Sequence, residues 1–154
     1  MTPCSSAGPT REAGFTLVEI VIVIMVIGIL ASLVIPKYRQ SELKAQGADV
    51  LGRIEAINVA IKGFEADHEV VEPFTGPVGQ PPDWLTTYLR ANYFSGPAAI
   101  TMQLARTDLT SPCMLILVAN GSAEQEILIS VAAALGDRAA MVGQGQSVTV
   151  TMAD

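Results

Sequence analysis

"GFTLVEIVIVIMVIGILASLVIPKY", residues 14–38, is the stretch that decides the fold of this chain. Positions 15–35 form an almost unbroken apolar run whose only polar side chains are Thr16, Glu19 and Ser32. As an α-helix this run would extend about 31 Å, at about 1.5 Å per residue, which matches a bilayer hydrocarbon core of about 30 Å. The sequence therefore predicts a single transmembrane helix over residues 15–36.

The overall composition favours a small domain tethered to a membrane. The chain has 154 residues, enough for one domain and an appendage, and 50% of them are hydrophobic, with a mean hydropathy of +0.43. Lys and Arg total 9 against 15 for Asp and Glu, so the net charge is −6. No large phosphate-neutralising surface can form from this balance. We expect the lipid bilayer as a partner and no nucleic acid.

The single carboxylate in the apolar run, Glu19, needs a neutralising group. An ionised side chain in hydrocarbon is costly and is a functional residue by default. The polar preface "MTPCSSAGPTREAG" ends sharply at Gly14, and a cut after it would leave a charged α-amine on Phe15, one helical turn before Glu19. Pairing of the two, within one chain or between neighbours, would offset both charges and set the axial register of an assembly.

Two simpler interpretations explain the apolar run less completely. An ordinary secretory signal has a shorter apolar region and a small-residue cleavage site, which the exit "SLVIPKY" lacks. A plain signal anchor fits the length of the run. It does not explain Glu19 or the sharp boundary at Gly14.

"GFTLVE" followed by a long apolar helix resembles the type IV prepilin segment, shared by pilins of type IV pili and pseudopilins of type II secretion systems. The resemblance implies that prepilin peptidase cuts between Gly14 and Phe15 and methylates the amine of Phe15. Residues 1–14 would then be a leader peptide that is removed.

The resemblance also implies which residues serve assembly. Glu19 corresponds to the assembly glutamate, and Gly28 and Pro36 occupy positions that the family commonly uses. Because Gly has low helix propensity and Pro lacks an N–H, the helix between them is expected to loosen in the packed filament. The implied role is structural: a minor pilin or pseudopilin in an envelope-spanning filament of a type II secretion or type IV pilus system.

The implied partners and location follow from the same resemblance. The partners are prepilin peptidase, other pilin-like subunits in a homo- or hetero-filament, and the inner-membrane assembly machinery. The protein would cross the bacterial inner membrane once, with its head in the periplasm. The assembled filament would lie in the periplasm or at the cell surface.

The sequence departs from the family pattern in three places. Arg11 in the leader is offset by Glu12, so the leader has no clear basic charge. Basic residues follow the apolar run, and the positive-inside rule alone would favour the opposite orientation; they are Lys37, Arg39 and Lys44. Many pilins close a C-terminal loop with a disulfide, but Cys113 would be the only cysteine left once Cys4 is removed, which favours a minor pilin or pseudopilin.

Chemistry-bearing residues are otherwise sparse. The sequence has no nucleophile–base pair and no glycine-rich phosphate loop, so we predict no enzyme, no catalytic residue and no cofactor. His68 in "FEADHEVVE" is better explained by a solvated acidic helix end than by a metal site. Some secretion pseudopilins hold calcium in a C-terminal loop, but the segment 136–147 offers only Asp137, so we predict no metal.

The rest of the chain predicts an α+β fold in which the long helix packs on a small antiparallel sheet. Residues 37–70 form the amphipathic half of the helix, which as a whole runs over 15–67. Its apolar stripe recurs at steps of three and four: Leu43, Gly47, Val50, Ile54, Ile57, Ile61 and Phe64. Residues 71–97 are a Pro- and Gly-rich loop with one short helix, begun by Pro82–Asp83 and stopped by Gly96–Pro97.

Residues 98–154 form the sheet head. Segments 98–106 and 113–120 are expected to pair as a hairpin, and 146–153 supplies a third strand. Between them we predict a helix with a capping box at Ser122 and Gln125 and an end at Gly136; a strand over 126–131 is the alternative.

An alternative function belongs to a different class. The chain would be a membrane-anchored binding domain that never polymerises, and its head would bind a partner through Trp84, Tyr88 and Tyr93. Anchoring the loop to the core is the competing use of these aromatic side chains. A DNA-uptake pilin is a third interpretation, which the acidic head does not support.

Overall fold

A computed structural model describes residues 14–68, 72–96, 100–143 and 145–152. The predicted leader therefore lies outside the described residues, except for Gly14. The chain divides into two compact units, one up to Tyr38 and one from Arg39 onward. We call the second unit the head.

One helix, α1, spans Leu17–Asp67 and has 51 residues. It confirms the long helix predicted from the apolar run and the amphipathic stripe. Up to residue 30 every described side chain is exposed. In the head, the stripe turns inward: Val50, Ile54 and Ile57 are buried, since their spacing places them on one face of the helix.

The head contains a five-stranded antiparallel sheet. The strands are β1 (Phe74–Thr75), β2 (Thr101–Arg106), β3 (Met114–Val118), β4 (Ala139–Val142) and β5 (Ser147–Thr151), in the order β1-β2-β3-β5-β4. The predicted hairpin is confirmed, because β2 pairs with β3, and β5 corresponds to the predicted third strand. The α+β class is confirmed as well.

The helix predicted between the second and third strands is present as α2 (Ser122–Leu135), so the strand alternative is wrong. The predicted end is also confirmed, because Gly136 closes the helix at φ 58°, where a residue with a Cβ would be strained. The capping box is wrong. Gly121 is the N-cap, without a side-chain hydrogen bond, and Ser122 lies inside the helix.

The short helix predicted between Pro82 and Pro97 is replaced by two 3₁₀ turns, Asp83–Leu85 and Ala91–Phe94. Arg90 between them is extended, with φ −73° and ψ 145°, so no continuous helix can form. This break allows Leu85 and Phe94 both to reach the core, where each is fully buried. Pro97, the predicted stop, lies outside the described residues.

One hydrophobic core joins the helices to the sheet in the head. Val50, Ile54 and Ile57 of α1 pack in the same cluster as Leu104 and Leu115 of the sheet. Ile127, Leu128 and Val131 of α2 complete it. The amphipathic part of α1 therefore forms the inner layer against the sheet, as its stripe predicts.

Candidate processing and assembly site

The predicted cleavage site lies just before the helix. Gly14, Phe15 and Thr16 are outside the α-helix, which begins at Leu17. All three are exposed, and Phe15 keeps 77% of its surface accessible. Thr16 is the residue that sequence reasoning missed: its hydroxyl oxygen accepts a hydrogen bond from the backbone N–H of Glu19 at 3.2 Å. The Thr-x-x-Glu spacing of a capping box was the available signal.

Glu19 lies in the first turn of α1, where a negative charge is favoured by the partial positive charge of the helix start. Its side chain is exposed and is surrounded along the chain by exposed apolar residues. Within the residues that the structure describes, its carboxylate takes part in no ion pair. Among the described residues, the site therefore presents an acid without a cation, four residues after the one that would become the N-terminus.

The apolar span itself is uncovered. Within α1, an 18-residue window has a mean hydropathy of 3.0 and no part of it is buried by the chain. Burial of apolar surface is the main favourable term in folding, so a span of this length left bare requires lipid or other chains. By length and composition, α1 can cross a membrane.

Gly28 and Pro36 both lie inside this continuous helix. Nothing lies within 4 Å of the position that a Cβ on Gly28 would take, so that face is open to a neighbour. Pro36 has no N–H, and the carbonyl of Ser32, four residues earlier, loses its usual helical donor. The loosening expected between the two concerns the packed filament and stays a prediction.

The aromatic residues of the alternative hypothesis pack against the core. Trp84 contacts Phe64 of α1 with ring centroids 4.6 Å apart and Phe74 of β1 at 5.2 Å. Tyr88 meets Phe64 edge to face at 5.8 Å and donates a hydrogen bond to the Asp67 carboxylate at 2.6 Å. These contacts anchor the loop to α1, as the competing interpretation predicts, so they do not form a free binding patch.

The remaining candidates are also structural. His68 stacks on Phe64 at 4.2 Å, with its ring nearly parallel. Cys113 is buried, and Cys4 lies outside the described residues. Asp137 is exposed in the 3₁₀ turn that follows α2. Among the described residues no group of three His, Cys, Asp or Glu side chains could hold a metal ion.

Described residues of the head form a groove. It measures about 860 Å³ and lies between α1 and the segment around residues 88–93. Its polar lining includes Glu55, Tyr88 and Arg90, and none of its lining residues is Ser, Cys or His. The groove thus offers no nucleophile–base pair.

Two arginines that the sequence did not single out hold the loops of the head. Arg53 of α1 donates to the carbonyl oxygens of Asn92 at 2.6 Å and Ser95 at 2.9 Å. Arg106, which is only 9% exposed, donates to the carbonyl of Leu109 at 2.9 Å. Neither role has a signal in the sequence, because each partner is a backbone carbonyl in a loop.

Comparison of the sequence with known proteins gives several matches. Residues 9–35 match the family model described as the prokaryotic N-terminal methylation motif. The chain is 30% identical over 73 residues to the type IV major pilin protein PilA of Myxococcus xanthus, which covers 47% of this chain and 33% of that protein. It is 38% identical over 58 residues to the type II secretion system core protein G of Klebsiella pneumoniae, covering 38% of this chain and 41% of that one.

These matches confirm the resemblance to the type IV pilin and type II secretion pseudopilin superfamily. The matched family and relatives are structural subunits rather than enzymes, in agreement with the sequence prediction. The chain spans about a third to two fifths of the length of these relatives. No solved structure gives a significant match.

Proposed function

We propose that this chain is a pilin-like subunit, a minor pilin or pseudopilin, of an envelope-spanning filament in a type II secretion or type IV pilus system. Prepilin peptidase cuts it between Gly14 and Phe15 and methylates the new amine. Residues 15–36 hold the product in the bacterial inner membrane, with the head in the periplasm, until assembly draws it into the filament. The names of the matched relatives support this class of subunit.

The observation that carries the proposal is the bare apolar span with Glu19 in its first turn. A charged side chain at the centre of a membrane helix costs roughly 3 kcal/mol on insertion scales. Glu19 lies near the end of the span, but it still needs a cation when apolar spans pack together. Cleavage after Gly14 creates that cation on Phe15, four residues before Glu19.

The assembly step follows from these charges. Within one chain, the amine would come to the same side as the carboxylate, one turn before it, once the helix extends back to Phe15 in the cut chain. Between chains they meet only at one axial offset, so pairing rewards one stagger and penalises the others. Burial of the exposed apolar side chains between neighbouring spans then holds the fibre together, and Gly28 lets another helix approach closely.

The test is the mass of the full chain extracted from membranes of cells that contain a prepilin peptidase. The proposal requires loss of residues 1–14 and addition of one methyl group on Phe15. A Gly14→Ala chain should be expressed and inserted but remain uncut, because the cut in the family that this chain resembles follows a glycine. An intact Met1 end in the parent chain, apart from initiator removal, would refute the proposal, and cleavage of Gly14→Ala would refute the peptidase assignment.

A further inference from the structure

Asn120 and Gly121 form the junction between β3 and α2. Strand β3 ends at Val118, and α2 begins at Ser122. Asn120 is exposed, and it is the only asparagine of the chain that is followed by glycine. A side-chain amide therefore stands at the surface directly before a residue that has no side chain.

This pair of residues can react without an enzyme. The backbone nitrogen that follows an asparagine can attack the Cγ of its side chain, because the product is a five-membered ring that closes readily within one chain. The new N–Cγ bond replaces the Cγ–Nδ2 bond, and the amide proton of the attacking nitrogen leaves with Nδ2 as ammonia. Water then opens the ring at either carbonyl. The products are aspartate and isoaspartate, in which the main chain runs through Cγ, and water is the only co-reactant.

The conformation of Gly121 favours this attack. Gly121 is the N-cap of α2, with φ −152° and ψ 172°, so it lies outside the helical conformation. The first N–H groups of a helix have no acceptor within the helix, so the hydrogen bonds of α2 do not hold the attacking nitrogen. Glycine also lacks the Cβ that would hinder the approach of Cγ, and its backbone turns freely.

The other two asparagines of the chain lack these features. Asn58 is only 6% exposed and lies inside α1, where the N–H of Val59 belongs to the hydrogen-bond ladder of the helix. Asn92 is exposed, but the N–H of the bulky Tyr93 that follows it donates to the carbonyl of Arg90 at 3.2 Å. Exposure and an attacking nitrogen outside a helix or a 3₁₀ turn therefore occur together at Asn120.

We propose that Asn120 is a site of spontaneous deamidation, in which the backbone nitrogen of Gly121 displaces ammonia and water yields aspartate or isoaspartate. Each converted chain gains one negative charge at the β3–α2 junction. The modification goes beyond the proposed function, since it requires neither cleavage of the leader nor the filament.

The isoaspartate product should disturb the junction. It adds one methylene to the main chain between two residues that the head holds in place. The N–H of Ala119 donates to the carbonyl of Gln146 at 2.9 Å, and the carbonyl of Gly121 accepts from the N–H of Gln125 at 3.1 Å. The extra carbon must be accommodated between these two bonds. The aspartate product leaves the main chain unchanged and places its charge before the positive end of α2.

The test is peptide mass spectrometry of the full chain, kept folded for days in mildly alkaline buffer. The peptide that contains residue 120 should gain about 1 Da, the difference between an amide and an acid, and should separate into two products. Protein isoaspartyl methyltransferase should label one of them. The peptides with Asn58 and Asn92 should keep their mass. No gain at residue 120, or an equal gain at all three asparagines, would overturn the proposal.

Two variants test the chemistry. Asn120→Gln keeps the amide but would need a six-membered ring, so the mass gain should be lost. Gly121→Ala keeps Asn120 and hinders the attack, so conversion should slow several-fold. The added Cβ meets the carboxylate of Glu124, which is the end of a flexible side chain and can turn away. Equal rates in the parent and Gly121→Ala chains would contradict attack by the nitrogen of Gly121.

A third variant tests the role of conformation. Val59→Gly creates a second Asn–Gly pair at Asn58, inside α1, at a position that is 61% exposed in the parent. Residue 120 should convert several-fold faster than residue 58 in the same molecules. Equal rates in the folded chain would show that the dipeptide alone, and not its place in the fold, decides the reaction.

The effect on stability has its own control. Asn120→Asp supplies the aspartate product alone, so the isoaspartate fraction of the aged parent should unfold at a lower denaturant concentration than the Asn120→Asp chain. An equal midpoint would refute the predicted disturbance. The Gly14→Ala chain, which should keep its leader, is expected to deamidate at the parent rate. Failure of leader cleavage and failure of deamidation are therefore read separately, and a changed rate in Gly14→Ala would contradict their independence.

Discussion

The hydroxyl oxygen of Thr16 accepts a hydrogen bond from the backbone N–H of Glu19, at 3.2 Å, in the turn where α1 begins. Thr16 is thus the N-cap of the span, and its backbone carbonyl accepts from Ile20 at 3.3 Å. The same residue lies directly after the proposed new N-terminus. The hydrogen bond that caps the start of α1 therefore also fixes the backbone of Glu19, the residue that is proposed to meet the amine.

Replacing Thr16 by Ala should destabilise the first turn of α1. Loss of an N-cap side chain costs about 1 kcal/mol, so the first turn is expected to fray and the position of Glu19 to become less defined. Filament yield should fall several-fold, while mass spectrometry should still show loss of the leader. Thr16→Ser keeps the capping oxygen and should assemble normally. Poor assembly of the Ser variant would indicate that the methyl group, not the cap, is what matters.

Glu19→Val should be cut and remain in the membrane but stay out of filaments. The valine removes the charge that meets the Phe15 amine, so the correct stagger loses its advantage over the others. Glu19→Gln tests the charge more specifically, because glutamine keeps the size of the side chain and its ability to form hydrogen bonds but removes its charge. It should fail in the same assay of sheared filaments. Normal filaments from the Gln chain would show that charge pairing does not set the register.

In the head, the hydrogen bonds of Arg53 to backbone carbonyls are expected to stabilise the fold more than its ion pair with Asp49 does. Its contact with Asp49, at 2.8 Å, is with a carboxylate whose side chain is 49% exposed, and such pairs contribute about 0–1 kcal/mol. Its bonds to the carbonyls of Asn92 and Ser95 tie the second 3₁₀ turn to α1. Arg53→Met should therefore lower the free energy of unfolding by about 1–3 kcal/mol, and Asp49→Asn by less than about 1 kcal/mol.

Trp84 provides the measurement for the Arg53 variants. It is the only tryptophan of the chain and packs between Phe64 and Phe74, so its fluorescence reports unfolding of the head in a denaturant titration of the full chain. Equal losses for the two variants would mean that the ion pair, not the carbonyl bonds, carries the effect.

The parts of the fold that sequence could predict are those with a local pattern. The apolar run, the stripe through Ile54 and Ile61, and the alternation in β2 and β3 are each readable within a window of one element. Strands β1 and β4 are not. Residues 74–75 stand in a Pro- and Gly-rich segment, and "AAMV" at 139–142 has little β-propensity, so both form only because a longer strand offers them an edge.

The candidate site divides in the same way. The sequence alone indicates Gly14, Phe15 and Glu19, because a charged residue at the start of an apolar run is recognisable without knowledge of the fold. The sequence alone does not decide the packing role of Trp84, because that role depends on Phe64, twenty positions away in sequence, and on the loop returning to α1. Arg53 gave no signal, since its partners are backbone carbonyls that any residues could supply.

Tyr88 should give the head a weak dependence on alkaline pH. Its hydrogen bond to the Asp67 carboxylate, followed by desolvation and the charge of Asp67, raises the pKa of the Tyr88 phenol above 10.0. The folded state then holds the phenolic proton more tightly than the unfolded state. The contribution of the Tyr88–Asp67 interaction to stability is fully present below about pH 10 and is lost as pH rises through the folded pKa of Tyr88.

The measurement is the ultraviolet titration of tyrosinate in the full chain. A phase above the ordinary range should vanish in Tyr88→Phe and move down in Asp67→Asn, since the latter removes the acceptor's charge. Tyr38 and Tyr93 remain in both variants as internal references. An unchanged titration in Asp67→Asn would contradict the assigned cause.

Helices α1 and α2 approach each other closely at Gly47 and Ser130. A Cβ on Gly47 would lie 3.1 Å from the hydroxyl oxygen of Ser130, which itself donates to the carbonyl of Ile127 at 2.7 Å. Ala is favoured over Gly inside a helix by up to about 1 kcal/mol, but Gly47→Ala must displace that hydroxyl. We expect Gly47→Ala alone to destabilise the head.

In a Ser130→Ala background, Gly47→Ala should instead raise the free energy of unfolding. The obstructing oxygen is absent there, so only the higher helix propensity of Ala acts. A double-mutant cycle on Trp84 fluorescence measures this, with a coupling of about 1 kcal/mol expected for residues in contact. Gly52→Ala is the control, because nothing lies within 4 Å of its Cβ position and it should stabilise in both backgrounds. Additive effects of Gly47→Ala and Ser130→Ala would show that α1 and α2 do not meet at this point.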